Sequence, residues 1–324
     1  MIATIINKAI VQGIPLLFGS TGEIITEKSG NLNLGIPGIM YMGGSAGVIG
    51  AYIYEQSTAS PSPFWCIVIP LLSSILGSFL AALIYSFLTI TLRANQNVTG
   101  LALTTFGVGF GDFFGGSLTK IMSGGGNLSV KLTADYYKTT LPFADSLGAM
   151  GKIFFSYGFL AYVAVIIAII ASWFLNRTRC GLHLRAVGEN PATADAAGIN
   201  VIKYKYIATC VGGIIAGLGG LYFIMDYTGG SWTNGGFGDR GWLAIALVIF
   251  ALWRPNVSIL GSFVFGGLYI AYSYISGLSR SAVAIFNMLP YVVTILVLIL
   301  TSVRNKKENH PPASLGLAYF REER

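Results

Sequence analysis

The sequence predicts an all-α, polytopic membrane protein, and three observations support that fold class. Hydrophobic residues make up 54% of the 324 residues and charged residues only 10%, whereas soluble domains carry about 25% charge. The mean hydropathy is +0.68. The 42 glycines fit the same class, because glycine is more frequent in transmembrane helices than in soluble ones. The chain is therefore predicted to cross a lipid bilayer repeatedly.

Apolar segments set the order of the predicted helices, because about 20 apolar residues are needed to cross a bilayer. The first segment is weak, since it contains Lys8, Gln12 and Pro15. The seventh is barely long enough, which leaves a half-helix or a re-entrant segment as alternatives. We therefore expect about nine transmembrane helices, within a range of eight to ten. The segments lie at 4–20, 34–54, 64–92, 98–118, 153–175, 205–226, 238–253, 256–276 and 282–303.

The basic residues predict the orientation, because cytoplasmic loops carry an excess of lysine and arginine. Alternation through these segments places 13 of the 20 basic residues on one side, which is therefore predicted to be cytoplasmic. They are Lys28, Arg93, Arg177, Arg179, Arg185, Lys203, Lys205, Arg254, Arg304, Lys306, Lys307, Arg321 and Arg324. The other side holds Lys8, Lys120, Lys131, Lys138, Lys152, Arg240 and Arg280. The net charge of +7 is then explained by the basic residues of the cytoplasmic side and does not indicate a nucleic-acid partner.

The predicted organisation is a transmembrane domain at 1–303 and a cytoplasmic tail at 304–324. A charged, alanine-rich loop interrupts the domain at 176–206, with the sequence NRTRCGLHLRAVGENPATADAAGINVIKYKY. Asn190 is a good N-cap residue and Pro191 suits the first helical position. Gly198 suits the left-handed position that follows a helix. The loop is therefore predicted to contain a short helix.

This short helix covers residues 191–197 and is about 10 Å long at 1.5 Å per residue. So short a helix is marginal in water on its own, and its side chains are too small to bury much area. Its alanines would allow close approach of a partner, to which Glu189 and Asp195 can offer charges. The alternative is a loop helix that packs against the membrane spans of its own chain.

Several sequence blocks resemble one family, the permeases of ABC importers. ADAAGINV resembles their coupling motif, and the wider run RTRCGLHLRAVGENPATADAAGINV resembles the ribose and branched-chain amino acid type. Four further blocks resemble the nucleoside subfamily, which is associated with basic membrane proteins. They are EKSGNLNLGIPGIMYMGG (27–44), RANQNVTGLAL (93–103), GFGDRGWLAIALVIFALWRP (236–255) and PPASLGLAYFREER (311–324).

The resemblance implies a set of partners. Permeases of this family work in pairs, often of two different chains, above cytoplasmic ATPases, and they receive solute from an extracytoplasmic binding lipoprotein. ATP is then used by the ATPase, and the permease binds no cofactor and performs no covalent chemistry. The implied location is the bacterial plasma membrane, with lipid around the chain. The residues that would couple to the ATPase are Glu189, Asn190, Pro191, Ala192, Ala194, Asp195, Ala196 and Gly198.

The search for catalytic chemistry agrees with this implication. The glycine runs at 107–111 and 124–126 do not continue into the GK[ST] of a phosphate-binding loop. His183 and His310 are the only histidines and are far apart in sequence, which disfavours a metal site or a catalytic triad. We therefore predict no catalytic residues and no metal site.

Polar groups inside the membrane are candidates for the solute path, because burying them in lipid is costly. Asp112 is predicted to be the only acid well inside a span, where the alternative is pairing with a donor on a neighbouring helix. Asp226 and Asp239 are expected in solvent near the outer surface. The remaining polar path candidates are amides, which could equally cap helices: Asn31, Asn33, Asn95 and Asn97. The aromatic path candidate is Phe106. It is one of several rings that could stack on a flat solute, the others being Tyr41, Phe113, Phe114 and Trp242.

Nucleosides are the solute that the resemblance favours, with ribose or another simple sugar as the alternative. One departure is Pro37, which stands where many members carry an acid after LNLGI. From another class, an ion-coupled secondary transporter is the rival, but such machines usually need more intramembrane ionisable residues than Asp112. Two glycine-rich rows in VGGIIAGLGG (211–220) predict close helix packing, with a sliding face as the alternative.

Overall fold

A computed structural model describes residues 2–117, 128–142, 144, 146, 148–275, 277, 279–304 and 310–320. Every regular element in these ranges is helical. The helices are α1 (Ile2–Glu27), α2 (Ile36–Ser57), α3 (Pro63–Ser86), α4 (Gln96–Gly111), α5 (Lys131–Tyr137), α6 (Gly148–Phe154), α7 (Phe159–Arg177), α8 (Arg179–Glu189), α9 (Pro191–Ala196), α10 (Val201–Tyr222), α11 (Arg240–Phe250), α12 (Pro255–Ile270) and α13 (Arg280–Arg304). Short π-helical turns extend α3, α4 and α10 at Phe87–Thr91, Asp112–Ser117 and Phe223–Tyr227, and a 3-10 turn extends α12 at Ala271–Tyr274.

Within the described part of the chain, seven helices are long and apolar enough to cross a membrane. They are α1, α2, α3, α7, α10, α12 and α13. The all-α membrane class is therefore confirmed, while the count of about nine spans is not. The predicted segments 98–118 and 238–253 form α4 and α11, which are helical but fall short of the same criterion.

The two segments that the sequence marked as weak behave differently. α1 is a full span of 26 residues that contains Pro15 and continues to Glu27, well beyond the predicted end at residue 20. α11 has only 11 residues, or about 16 Å, and the positive φ values of Leu252 and Trp253 end it. The half-helix alternative therefore describes α11 better than a full span does.

α10 lies at the centre of the bundle and packs through both of its glycine rows. A Cβ added to Gly213 would lie against Ala82 of α3, and Gly217 approaches the backbone of Gly43 in α2. From the second row, Gly220 lies so close to Met40 that an added Cβ would be 2.8 Å from its carbonyl carbon. The predicted close packing is confirmed, since side chains at these positions would separate the helices.

The second row also reaches α1. An added Cβ at Gly22 would be 3.0 Å from the backbone nitrogen of Ala216, and Gly212 packs against the same turn of α1. α10 therefore touches α1, α2 and α3 at backbone distance, which leaves no room for larger side chains at these contacts.

Contacts between distant segments separate the molecule into two ends. At one end Lys28 lies near the charges of Arg185 and Arg254, and Arg93 stacks on the ring of Phe320 at 4.5 Å. This is the end that the basic residues predict to be cytoplasmic. Lys8 and Lys138 line a cavity at the other end. Lys120, Lys306, Lys307, Arg321 and Arg324 lie outside the described residues, as does the glycine run at 124–126.

Gly220→Ala tests the packing of α10. An added methyl group would meet the backbone of Met40 and Gly44, so we expect a loss of about 1–3 kcal/mol in unfolding free energy. The matched control is Gly109→Ala in α4, because an added Cβ there meets nothing within 4 Å. The measurement is the unfolding midpoint of both purified variants in detergent. Equal midpoints would contradict the central role of this contact.

Candidate coupling surface and solute cavity

The short helix α9 has the termini that its sequence predicts. The side chain of Asn190 accepts a hydrogen bond from the backbone N–H of Thr193 at 3.0 Å. Gly198 follows the helix with φ of 82°, and the N–H of Ile199 donates to the carbonyl of Ala194 at 3.0 Å. This is the hydrogen bond of a Schellman motif. The helix is therefore confirmed, although it ends at Ala196, one residue earlier than predicted.

One face of α9 is buried and the other is exposed. Ala194 is only 4% exposed and packs with Val187 of α8 and Val201 of α10. Ala192 and Ala196 are exposed on the opposite face. The helix is therefore supported by its own chain, as the alternative proposed, and it still presents small residues outward. Burial of Ala194 on one face leaves the alanines of the other face exposed.

A C-terminal strap, which we define as residues 310–320, holds α9 from outside the bundle. The hydroxyl of Tyr319 donates to the Asp195 carboxylate at 2.8 Å. The N–H of Ser314 donates to the carbonyl of Gly188 in α8 at 3.0 Å. The sequence indicated this segment only through its family resemblance, and its contact with α9 was not predicted.

The same strap joins α9 to the beginning of α4 and to the α1–α2 connection. The N–H of Gly316 donates to the carbonyl of Gly30 at 3.3 Å. The Gln96 amide donates to the carbonyl of Leu317 at 3.4 Å and accepts from the N–H of Leu32 at 2.7 Å. Three parts of the end that is predicted to be cytoplasmic are thus tied to one another by a single extended segment.

Electrostatics at this face involve α8 as well as the end of α1. Burial lowers the pKa of the Lys28 ammonium from its usual value, and the attraction of Glu189 opposes that change. Glu189 itself is exposed at the end of α8. Its carboxylate therefore compensates a partly buried cation of its own chain in addition to any role toward a partner.

Two of the predicted path residues, Asn31 and Asn33, are fully buried. The amide nitrogen of Asn31 donates to the Thr209 hydroxyl at 3.2 Å. The backbone N–H of Asn33 donates to Glu23 at 2.9 Å, and its side-chain oxygen accepts from the N–H of Gly35 at 2.9 Å. One polar atom of each side-chain amide joins the α1–α2 connection to its surroundings, while Asn31 Oδ1 and Asn33 Nδ2 have no hydrogen-bond partner among the described residues.

The other path candidates are dispersed. Asn95 caps α4 by accepting from the N–H of Val98 at 3.1 Å, which is the capping alternative. Asn97 is exposed and Phe106 is 53% exposed on the same helix. Asp112 accepts a hydrogen bond from the Tyr41 hydroxyl of α2, as expected if it pairs with a neighbouring helix. The structure does not bring the six candidates together in one passage.

The expectation that Asp112 is the only acid well inside a span is wrong. Glu23 is fully buried in α1, and Glu27 is 3% exposed one turn later. The indole N–H of Trp253 donates to Glu27. The sequence argument missed both acids because it ended the first span at residue 20, before the GEIITE turns that complete α1.

The two acids expected in solvent near the outer surface differ from each other. Asp239 is exposed, as predicted. Asp226 is only partly exposed, and one of its carboxylate oxygens is buried without a hydrogen-bond partner among the described residues. The expectation is therefore wrong for Asp226, because α10 continues through its π-helical turn past this position.

An aromatic cavity of about 200 Å³ lies between α2, the outer end of α10 and the segment 228–237. Among the described residues that line it, no side chain carries a charge. The centroids of the Tyr41 and Trp232 rings are 5.2 Å apart. Its aromatic lining is made of Tyr41, Phe223, Tyr227, Trp232 and Phe237. Such rings offer flat apolar surfaces, and the Tyr and Trp polar atoms offer hydrogen bonds.

Tyr41 connects this cavity to Asp112. Its hydroxyl donates to Asp112 and accepts from the N–H of Gly235 at 2.9 Å. Of the aromatic residues that the sequence suggested for stacking, only Tyr41 lines the cavity. Trp232 and Phe237 lie in a loop between helices, where sequence periodicity gives no indication of the direction that a side chain takes.

Comparison with known proteins identifies the class. The family described as branched-chain amino acid transport system / permease component matches residues 5–298. The chain belongs to this family and is a permease subunit of an ABC importer, a multi-pass protein of the plasma membrane. Membership of the family implies an ATPase and a solute-binding protein as partners.

Similar proteins agree with this class. The nucleoside ABC transporter permease protein NupC of Lactococcus lactis is 30% identical over 303 residues, covering 91% of each chain. The guanosine ABC transporter permease protein NupQ of Bacillus subtilis is 31% identical over 307 residues, or 92% of each chain. A third relative, TsgC13 of Haloferax volcanii, is 32% identical over 82% of this chain and 75% of its own length. It is described provisionally as a glucose ABC transporter permease protein.

Gly198→Val tests whether α9 couples to the ATPase. A β-branched residue is a genuine outlier at positive φ, so the C-terminal turn of α9 should change shape. Asp195→Lys should act through the loss of the Tyr319 contact and the reversed charge. We expect uptake to fall at least about tenfold in both variants while the protein still inserts, which is measured by labelled-solute uptake and a membrane immunoblot.

The matched control is Gly277→Val, because Gly277 has φ of 80° against 82° for Gly198 and both have open space around an added Cβ. It lies at the opposite end of the molecule and should leave uptake unchanged. Normal uptake by Gly198→Val and Asp195→Lys together would remove the coupling role from α9.

Proposed function

We propose that this chain is the permease of an ABC importer that takes up nucleosides. The observation that supports this solute class most directly is the aromatic cavity, whose described lining is uncharged. A nucleoside is neutral and has a flat base, which stacks favourably on aromatic rings. The names of NupC and NupQ, which give nucleosides and guanosine as solutes, support the same proposal.

The importer would work by alternating access. ATP binding and hydrolysis in a separate ATPase would move α9, and α9 would transmit that movement to α10 through the short link at 197–200. The side chain of Asn200 caps the first turn of α10 by accepting a hydrogen bond from the N–H of Lys203 at 2.9 Å. The link is therefore held at both ends. No ATP would bind to the permease itself.

The remaining partners are a second permease subunit, a different chain in our proposal, and an extracytoplasmic binding lipoprotein that delivers the solute. Lipid would cover the outward apolar side chains of α13, where Ile285 is 63% exposed and Ile299 is 55% exposed. Lipid tails are as apolar as these side chains, so their exposure in the bilayer is not costly.

A simple sugar remains the second candidate, because TsgC13 carries glucose in its name. The two solutes differ in their fit to the cavity. The polar side chains of the lining, among them Thr228, Ser231 and Thr233, can serve the hydroxyls of either solute. A nucleoside has in addition a flat base that stacks on the aromatic rings, which a simple sugar lacks. The lining therefore favours the nucleoside.

Uptake of labelled guanosine, uridine and ribose tests the proposal directly. The assay uses cells that carry the complete transport system, beside cells whose ATPase lacks its phosphate-binding lysine. We expect uptake of a nucleoside that disappears with the inactive ATPase. Uptake of ribose alone would replace the solute and keep the mechanism. Uptake that survives the inactive ATPase but collapses with the ion gradient would contradict an ABC importer.

Trp232→Leu tests the cavity itself. Loss of one stacking ring should weaken solute interaction by about 1–3 kcal/mol, so we expect nucleoside uptake to fall about fivefold or more. The control is Trp65→Leu, because Trp65 is 49% exposed and lies outside the lining of the cavity. Association with the ATPase, measured by co-purification, should be unchanged in both variants. Equal uptake by both variants would place the solute elsewhere.

A further inference from the structure

A second cavity, which is polar, opens next to α9 at the end of the molecule that is predicted to be cytoplasmic. Its volume is about 420 Å³. Its walls come from the π-helical end of α3, the link at 198–200, the first turns of α10 and the strap at Ala318 and Tyr319. Neither the family assignment nor the proposed solute gives this cavity a role.

Lys205 is the most unusual residue in the cavity wall. It lies in the second turn of α10 and is only 3% exposed. Among the described residues, its ammonium has no hydrogen-bond acceptor and no carboxylate partner. The ammonium is not among the buried atoms that lack a partner, so its nitrogen keeps access to the open cavity while the rest of the side chain is buried. A position that lines an open cavity is therefore suited to a partner that comes from outside the chain.

The other deeply buried cation, Arg240, shows how this protein compensates a charge when the partner is internal. Its guanidinium donates to Gln12 at 3.3 Å and to the carbonyl of Phe237 at 2.8 Å. It also stacks on the rings of Phe223 and Tyr269 at 4.5 and 5.0 Å. Lys205 has none of these contacts, although it is buried to a similar degree.

Arg93 adds a second cation to the same cavity. Its backbone has φ of 57°, in the left-handed region that residues with side chains seldom occupy. The guanidinium lies 4.5 Å from the ring centroid of Phe320. Such strain persists only where surrounding structure determines it, and it is frequent at ligand sites.

The remaining lining suits a ligand that carries both charge and polar groups. Asn31 is fully buried, and its side-chain oxygen has no hydrogen-bond partner. Asp195 also lines the cavity, but it already accepts the hydroxyl of Tyr319 at 2.8 Å. Among the described residues that line the cavity, the charged side chains are the cations Arg93 and Lys205 and the carboxylate Asp195, and this balance favours an anion.

We propose that this cavity binds a small phosphorylated molecule from the cytoplasm, with Lys205 and Arg93 facing the phosphate oxyanion. Phosphate is the oxyanion that lysine and arginine commonly bind in proteins. A volume of 420 Å³ corresponds to about fourteen waters at about 30 Å³ each. That space exceeds inorganic phosphate and fits a phosphate ester with a polar body, which the side-chain amide of Asn200 can hydrogen-bond.

The position of the cavity gives its ligand a mechanical consequence. The link between α9 and α10 forms one wall and the α3–α4 connection forms another. A bound molecule would therefore join the coupling helix to segments that must move relative to it during transport. This consequence requires only that the face is cytoplasmic, and it holds whichever solute is imported.

Binding of ribose 5-phosphate tests the proposal without interference from the nucleotide site of an ATPase. The full chain is placed in nanodiscs of phosphatidylcholine, and binding is measured with labelled ligand and by the thermal unfolding midpoint. We expect ribose 5-phosphate to bind and to raise the midpoint, inorganic phosphate to bind more weakly, and uncharged ribose to have no effect. Lys205→Met should lower the affinity for ribose 5-phosphate at least about tenfold.

The matched control is Lys203→Met, which removes the same charge two residues away from an exposed position outside this cavity. It should bind ribose 5-phosphate as the unaltered chain does. Without ligand, Lys205→Met should be at least as stable as the unaltered chain, because it removes no internal hydrogen bond or ion pair among the described residues. Lower ligand-free stability of Lys205→Met would show an internal partner and would overturn the proposal.

A further arm distinguishes the source of the phosphate. Nanodiscs that contain phosphatidylglycerol supply the group on a lipid headgroup. If only these nanodiscs stabilise the protein, and only when Lys205 is present, the phosphate chemistry stands and its source is lipid. If no phosphate compound acts through Lys205, or if Lys203→Met loses as much binding as Lys205→Met, the site does not exist.

Discussion

Close backbone contact along α10 is the constraint on which the bundle depends. Lipid provides no hydrophobic force between helices, so their association rests on packing and on hydrogen bonds. The glycines of α10 allow contact with Gly22 of α1, Gly43 of α2 and Ala82 of α3 at the same time. Three helices are thereby held around one axis. Any movement of α10 must be shared with them, because packed backbones leave no space for independent adjustment.

The end of the molecule that is predicted to be cytoplasmic connects this central helix to α9, the predicted coupling helix. α9 is connected to α10 by a few residues, and caps fix both ends of the link. The strap at 310–320 then ties α9 to α4 and to the α1–α2 connection through Tyr319, Gly316 and Leu317. A force applied to the exposed face of α9 would reach the core by two routes, through the covalent link and through the strap.

The two ends of α10 border cavities of opposite chemistry. At one end Phe223 and Tyr227 line an uncharged aromatic cavity, where an anion would lose its hydration without compensation. At the other end, which is predicted to be cytoplasmic, Lys205 lines a polar cavity that also contains Arg93. A neutral solute suits the first cavity and a phosphorylated molecule suits the second. Phosphorylation inside the cell would therefore move a compound from one chemical class to the other.

The sequence by itself determined the helical membrane class and the short helix α9, because hydropathy and capping are local properties. It also predicted the packing of α10, since two rows of small residues have few other uses in lipid. Tertiary structure alone decided which polar residues meet. Glu23 and Glu27 lie inside the first span because α1 extends past residue 20 to Glu27. Asn31 and Asn33 are buried between helices, and Trp232 and Lys205 line cavities. The sequence could not show this, because the neighbours of these residues come from distant segments that helix packing brings together.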